Sequence, residues 1–282
     1  MNLPAPVQEL WNVWREIEGK ARHTVMVNLV GPIGEQRENV RKLLTQGSPR
    51  PGSLRVLELT GDVVPEADMH LVMIDPAFGP TTAQLKTLHR IEPAQLIVIL
   101  LGGDETQFEG RRREVATAIG LRMDQVLTAA GIAELRPRLA RRVIQTGGEY
   151  TVALAKQFPF LREEAADQEM QDTAKQNALV GAIPVPGADM PIMTANQIKM
   201  VLRLAAIYDQ PMTAERLKEV TAVVGGGFAL RTAARQVAKF IPGPGWVVGG
   251  ALGYAGTFAM GKAAIEYFKR STEPQLPRPS AP

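Results

Sequence analysis

Residues 24–38 (TVMVNLVGPIGEQRE) come nearest, in residue type and spacing, to a site that could do chemistry. An apolar run of strand length ends at Gly31, and polar residues that favour a helix follow Gly34. A phosphate-binding loop has this layout: its glycines let backbone N–H groups close around the phosphates, a lysine reaches the β and γ oxygens, and a hydroxyl holds magnesium. The stretch therefore predicts a loop with the outline of a nucleotide site.

The residues at the reactive positions of this loop differ from those that the chemistry requires. On the template Gly, four residues, Gly-Lys-Ser/Thr, Gly31 fits, whereas Gln36 replaces the second glycine, Arg37 the lysine and Glu38 the hydroxyl. A carboxylate at Glu38 repels a γ-phosphate, and the Cβ of Gln36 obstructs the tight backbone. We therefore expect no catalytic residue here, and Arg37 is the side chain left to contact a phosphate or to lie solvated on a helix face.

Composition narrows the class of protein. The chain has 282 residues, 45% of them hydrophobic, so it can bury one large core or two ordinary ones. The formal charge of +3 is small for this length and argues against a nucleic-acid partner, and the lack of cysteine excludes disulfides and thiol catalysis. His23, His70 and His89 lie on different predicted elements, so we expect no metal site.

Apolar runs alternate with helical patterns along the first half of the chain. The candidate strands after the loop are 54–59, 69–74, 96–101 and 125–127, and the candidate helices are 35–46, 81–91, 107–119 and 132–145. This alternation predicts an α/β fold, with a parallel sheet flanked by helices on both faces. Residues 5–20 form an amphipathic helix that we expect to pack on the domain behind it, with a membrane-interface anchor as the alternative.

Four segments that follow the loop, in order and spacing, resemble an Era-like small GTPase domain. They are residues 56–61 (VLELTG), 67–75 (ADMHLVMID), 96–104 (LIVILLGGD) and 127–135 (LTAAGIAEL). The resemblance implies a P-loop GTPase-like sheet and a nucleotide site made of Gly31, Gly34, Arg37, Glu58, Gly61, Asp104, Thr128 and Ala129. Glu58 replaces the aspartate of Asp-x-x-Gly, Asp104 alone remains of Asn-Lys-x-Asp, and the switch-one threonine is missing.

These departures favour a pseudo-GTPase that binds no cofactor over an enzyme. Without the lysine, the hydroxyl, the aspartate and the switch threonine, nothing obvious clamps magnesium or stabilises charge on a transferring phosphoryl group. The alternative is an atypical GTPase in which Arg37 and Asp104 keep contacts with GTP or GDP and magnesium.

The second half of the chain is helical and resembles the YcjF-like domain that accompanies Era-like GTPases. The residues that carry the resemblance include Asn177, Pro184, Asp189, 194–197 (TANQ), Met200, 206–208 (AIY), 239–243 (KFIPG), Gly253, Thr257 and Gly261. It implies a membrane-associated protein whose biochemical role is unknown. Asp189, Asn196 and Gln197 fall at a predicted turn and helix start, where capping explains them, with a functional pocket as the alternative.

Charge and small residues of this half indicate where a membrane or partner would be contacted. Residues 186–282 hold 11 Lys or Arg against 6 Asp or Glu, and residues 240–261 carry no charge. We expect contact through a basic stripe and a small-residue ridge, made of Arg231, Arg235, Lys239, Gly245, Trp246, Gly249 and Gly253. The alternative is a soluble bundle in which the glycine ridge is an internal helix contact, and the sequence leaves open whether residues 241–261 span a bilayer.

The predicted organisation has four parts: an N-terminal helix (1–21), a degenerate GTPase-like domain (22–147), an all-α, membrane-associated domain (148–270) and a disordered tail (271–282). Arginines at 111–113, 136, 138, 141 and 142 are predicted to lie on solvated helix faces, with phosphate or nucleic-acid contact as the alternative. We expect a cytoplasmic protein, peripheral at the inner face of the cell membrane. Its expected partners are a membrane surface or membrane protein, and a true GTPase or a second copy of the chain.

Overall fold

The computed structural model describes residues 5–46, 53–58, 64–103, 105–182, 189–211, 213 and 245–272. The strands are β1 (Val27–Val30), β2 (Leu54–Leu57), β3 (Met69–Met73), β4 (Leu96–Leu101) and β5 (Val126–Ala129). The helices are α1 (Ala5–Ala21), α2 (Glu35–Thr45), α3 (Thr82–Leu88), α4 (Glu105–Ile119), α5 (Ile132–Gly147), α6 (Thr151–Gln157), α7 (Arg162–Gly181), α8 (Asp189–Ile207) and α9 (Gly245–Thr272).

The strands form one parallel sheet in the order β2-β1-β3-β4-β5. Every residue of β1, β3 and β4 is buried, whereas the edge strand β2 is half-buried or exposed. Strands that are buried along their whole length are typical of a parallel sheet with helices on both faces. The predicted α/β class, with a flanked parallel sheet and a mostly helical C-terminal region, is therefore confirmed.

The sheet order creates a topological switch point between β1 and β3. The chain leaves β1 toward β2 on one side, and β3 then pairs with the other side of β1, with Val30 level with both Leu57 and Val72. In doubly wound sheets of this order, ligands bind outside the carboxyl ends of the strands at this point. The fold thus directs attention to the residues that follow β1, β3 and β4.

The described residues divide into two compact units. Residues 22–165 form the sheet unit, and residues 1–21 with 166–282 form the helical unit. In the helical unit α1 packs on α8, and α8 packs on α9. Leu10, Trp14 and Ile17 on α1 are buried, so these three residues of its apolar stripe are covered by protein.

Residues 148–165, which the sequence assigns to the helical domain, belong to the sheet unit. Gln157, at the end of α6, is fully buried; its Oε1 accepts the N–H of Val25 at 3.1 Å, and its Nε2 donates to the carbonyl of His23 at 2.6 Å. These bonds tie α6 to the segment that leads into β1, because buried backbone groups need partners.

The prediction that Asp189 lies in a turn and that a helix starts near Asn196 and Gln197 is wrong. Helix α8 begins at Asp189 and contains Pro191 in its first turn. A proline is tolerated there because its missing N–H would have no partner within the helix. Asn196 and Gln197 consequently lie two turns inside α8 rather than at its start.

Candidate functional site

The carboxyl ends of the strands bring several predicted site residues to one edge of the sheet. Gly31 follows β1, Glu58 follows β2, and Thr128 and Ala129 end β5. A Cβ on Gly31 would lie 2.7 Å from the Cβ of Met73 on β3, closer than real contacts allow. Gly31 is therefore explained by the close approach of β1 and β3, without any phosphate.

Arg37, at the position of the phosphate-binding lysine, is turned back onto the loop. Its Nη1 donates to the carbonyl of Gly31 at 2.9 Å and to that of Leu57 at 3.1 Å. The guanidinium thus ties together the carboxyl ends of β1 and β2. A phosphate that needs this charge would have to displace two charge-assisted hydrogen bonds.

The first turn of α2 is acidic, which opposes an anion at this helix end. It carries Glu35 and Glu38. Both oxygens of Glu38 accept from Arg41, at 2.7 Å from Nε and 2.5 Å from Nη2, and this hydrogen bonding lowers the pKa of Glu38. A carboxylate that stays charged and paired at the magnesium-ligand position repels phosphate, although a helix N-terminus by itself attracts anions.

A shallow cavity of about 190 Å³ lies beyond β3 and β4 at the switch point. Its lining is Gln36, Asp75, Pro76, Ala77, Gly102, Gly103 and Phe108. The amide of Gln36 lies against Gly102, where a Cβ would be 2.3 Å from Gln36 Nε2, and Gly102 has φ +84°. Pockets for drug-sized ligands measure roughly 300–1,000 Å³, so this cavity is small for a nucleotide.

The loop after β3 is held by an arginine from α4. Arg111 donates from Nε to the carbonyl of Pro76 at 2.9 Å and from Nη2 to that of Ala77 at 2.8 Å. The Oδ1 of Asp75 accepts the N–H of Ala77 at 2.8 Å. The polar groups beside the cavity are thereby bonded to one another.

The polar groups at the carboxyl end of β5 are also bonded to one another. The backbone N–H of Ala130 donates to Oε2 of Glu134 at 2.9 Å, and Arg138 Nη1 donates to the carbonyl of Thr128 at 2.6 Å. Arg138 also pairs with Glu134, at 2.6 Å. The backbone groups of this segment, which the resemblance assigns to a nucleotide site, are therefore bonded to side chains of α5, the helix that follows it.

The other predicted site residues are less informative. Gly34 has an extended backbone and open space around it, so neither conformation nor packing there requires glycine. Glu58 is exposed at the end of β2. Gly61, Asp104, Arg231, Arg235 and Lys239, and the helices predicted between residues 213 and 240, lie outside the described residues, as does the side chain of Trp246.

A second polar cluster lies inside the helical unit. Asn177 of α7 donates from Nδ2 to Oγ1 of Thr257 on α9 at 2.9 Å, and its Oδ1 accepts from Asn196 of α8 at 2.9 Å. Gln197 Nε2 also donates to Thr257 Oγ1, at 2.9 Å. These four residues, the polar network, link three helices, so the expectation that Asn196 and Gln197 cap a helix is wrong.

The glycine ridge of α9 lies against α7. A Cβ on Gly253 would lie 2.4 Å from the carbonyl oxygen of Asn177, one on Gly249 would lie 2.2 Å from that of Gly181, and one on Gly261 would lie 2.5 Å from Cγ of Met170. Thr257, fully buried, occupies the same ridge. The small residues let two helix backbones approach closely, which is the internal contact that the sequence left open as an alternative.

The prediction that the arginines of α4 and α5 lie on solvated faces is wrong for three of them. Besides Arg111, Arg112 donates from Nη2 to the carbonyl of Met123 at 2.7 Å and from Nε to that of Val126 at 3.0 Å, and Arg142 is only 7% exposed. The spacing could have shown this for Arg142, which lies seven residues after Leu135 and three after Leu139, both fully buried.

The fold and these clusters define an α/β protein with a closed switch-point edge and a helical region organised around buried amides. Residues 147–280 match the family described as "Domain of unknown function (DUF697)". The chain is also similar to Magnetosome membrane protein 22 of Magnetospirillum gryphiswaldense (strain MSR-1), with 26% identity over 116 residues, covering 38% of this chain and 60% of the relative. It thus spans about three fifths of that relative's length, and no solved structure matches it.

No helix among the described residues combines the length and the mean hydropathy that a bilayer span requires.

Proposed function

We propose that this protein is a non-catalytic, pseudo-GTPase scaffold or regulator whose helical unit docks on a membrane or a membrane protein. In this proposal the sheet unit keeps an Era-like GTPase fold for its surfaces rather than for hydrolysis, and it binds a true GTPase or a second copy of the chain. The observation that carries the proposal is the contact of Arg37, the one cation at the lysine position, with the carbonyls of Gly31 and Leu57.

The charged residues of the loop support a role that does not include phosphoryl transfer. Phosphoryl transfer needs a cation on the β and γ oxygens and a ligand for magnesium. At the corresponding positions stand an arginine bonded to the strand ends and a glutamate paired with Arg41. A nucleotide would have to open these contacts and enlarge a cavity of about 190 Å³.

The membrane part of the proposal rests on charge and on the printed name of the relative. The C-terminal third holds 11 Lys or Arg against 6 Asp or Glu, and the relative is named a magnetosome membrane protein. Basic segments gain about 1 kcal/mol for each Lys or Arg near an anionic leaflet. We place the protein at the inner face of the cell membrane as a peripheral protein.

Calorimetric titration with GTP and GDP, with and without magnesium, tests the closed site. We expect no saturable binding by the wild type at ligand concentrations up to about 1 mM. The triple variant Gln36→Gly, Arg37→Lys, Glu38→Ser restores the template and is expected to gain binding, whereas Arg37→Met alone is not. Saturable wild-type binding that is lost in Asp104→Ala would establish the alternative, an atypical GTP-binding protein, and remove the scaffold hypothesis.

Flotation with vesicles tests the membrane docking. We expect the wild type to float with phosphatidylglycerol-rich vesicles and to stay behind with pure phosphatidylcholine. The variant Arg231→Glu, Arg235→Glu, Lys239→Glu should lose flotation, and the control Arg90→Glu, Arg113→Glu, Arg136→Glu, with the same charge change on exposed residues of the sheet unit, should keep it. Equal loss in both variants would show general charge attraction, and no flotation of the wild type would end this part of the proposal.

A further inference from the structure

A second cavity of the sheet unit lies at the opposite, amino-terminal edge of the sheet. Its volume is about 430 Å³, more than twice that of the switch-point cavity. It is lined by Ala94, Arg122, Asp124, Gln125, Arg142, Gln145 and Thr146. These residues come from the turns that precede β4 and β5 and from the last turns of α5.

Two arginines of this cavity share one carboxylate. Arg122 donates from Nε and Nη2 to the two oxygens of Asp124, at 3.1 and 3.0 Å. Arg142 donates from Nη1 to Oδ2 of the same Asp124 at 2.7 Å. The three side chains therefore carry one net positive charge, which favours a negatively charged occupant.

Polar atoms of the cavity are buried without a partner among the described residues. They are Nε of Arg142 and Oγ1 of Thr146. Arg142 is 7% exposed as a whole residue, and a guanidinium N–H that is buried without an acceptor destabilises the folded chain. Gln125 does not fill this need, because its Oε1 already accepts the backbone N–H of Arg122 at 3.1 Å.

We propose that this cavity is a binding site for a phosphate monoester, held by Arg142, Thr146 and Arg122. The planar guanidinium of Arg142 and the hydroxyl of Thr146 supply buried donors, and Arg122, with a side chain 71% exposed, supplies charge at the rim. Asp124 keeps the two guanidiniums together and leaves the excess positive charge to the ligand. A tetrahedral group with several acceptor oxygens meets separate donors better than one carboxylate does. The proposal is independent of the switch-point edge and of the membrane hypothesis.

Titration calorimetry of the full chain with glycerol 3-phosphate and inorganic phosphate, at constant ionic strength, tests the site. We expect glycerol 3-phosphate to bind with a Kd of about 1 mM or tighter, and acetate to bind at least tenfold more weakly. Thr146→Val and Arg122→Gln should each weaken binding by about tenfold, since each removes one donor to a charged group. Arg136→Gln, an exposed arginine of the same helix outside the cavity, is the matched control and should bind as the wild type does.

The signal of Arg142 locates the ligand directly. In a spectrum of the arginine Nε–H groups, the Arg142 resonance, assigned with Arg142→Lys, should move on addition of glycerol 3-phosphate while that of Arg138 stays in place. No heat from the wild type at about 10 mM ligand, or equal affinity for acetate, would overturn the proposal. So would equal weakening by Arg136→Gln, which would mark diffuse charge attraction.

Discussion

The sheet unit and the helical unit both bond their polar side chains internally, but they do so in different surroundings. At the carboxyl edge of the sheet, Arg37 and Arg138 donate to backbone carbonyls near water. In the helical unit, Asn177, Gln197 and Thr257 are almost fully enclosed. Water can replace a lost hydrogen bond at the sheet edge but not inside the helical unit. We therefore expect substitutions in the polar network to lower the free energy of unfolding more than substitutions at the sheet edge do.

The largest contrast is expected between two glycines inside helices. Gly253→Ala in α9 should lower the free energy of unfolding by about 2 kcal/mol, because the new methyl meets a backbone carbonyl at 2.4 Å. Gly110→Ala in α4 has nothing within 4 Å and should raise it by roughly 0.5–1 kcal/mol through helix propensity. Urea unfolding followed by circular dichroism measures both.

The opposite signs make this pair informative. If both alanines stabilise the protein, α9 does not approach α7 as closely as Gly253 and Asn177 indicate. The expected difference between the two units would then be contradicted.

A loss of about 2 kcal/mol is expected for Thr257→Val in the polar network. Valine keeps the shape of threonine but removes the acceptor of both Asn177 and Gln197, leaving two buried amides short of a bond. Thr257→Ser retains the hydroxyl and should lose less than half as much. Equal losses for the two variants, in the same urea assay, would assign the effect to the methyl group and its packing instead.

The sequence predicted the sheet better than it predicted these clusters. The apolar runs at 69–73 and 96–101 leave little choice but buried parallel strands, because each is apolar at nearly every position and is followed by a helical pattern. Gly31 follows β1 and Arg37 lies in the first turn of α2, but a solvated and an inward-turned arginine have the same sequence. Asn196 was placed at a helix start because Asp189, where α8 begins, was assigned to a turn.

A smaller effect, about 1 kcal/mol or less, is expected for Arg37→Met at the sheet edge. The variant removes two hydrogen bonds to carbonyls at strand ends, and water can take the vacated positions because Arg37 is only partly buried. Arg37→Lys is the control that keeps the charge. A loss as large as that of Thr257→Val would show that the sheet edge is as closed to water as the polar network, and the contrast between the units would disappear.

The smallest effect is expected from pH, through the one buried histidine of the sheet unit. Burial lowers the pKa of His70, whose Nδ1 lies 3.4 Å from Nδ2 of Asn28. Below the ordinary pKa of about 6.5 the unfolded chain takes up a proton that the folded chain refuses, so the free energy of unfolding should fall as the pH falls from there toward the lowered pKa.

In the helical unit the sign is reversed, because burial raises the pKa of Glu169 despite its pairing with Arg203 at 3.1 Å. The folded chain then holds a proton that the unfolded chain has lost, and this contribution to stability disappears as the pH rises through the raised pKa.

Urea unfolding between about pH 5.5 and 7.5 measures how the free energy of unfolding depends on pH. Comparison of the wild type with His70→Gln and with the exposed control His89→Gln distinguishes the contribution of the buried histidine from that of the exposed one. If the slope survives in His70→Gln and is lost in His89→Gln, the titrating group lies at the surface, and the enclosed histidine of β3 does not sense pH.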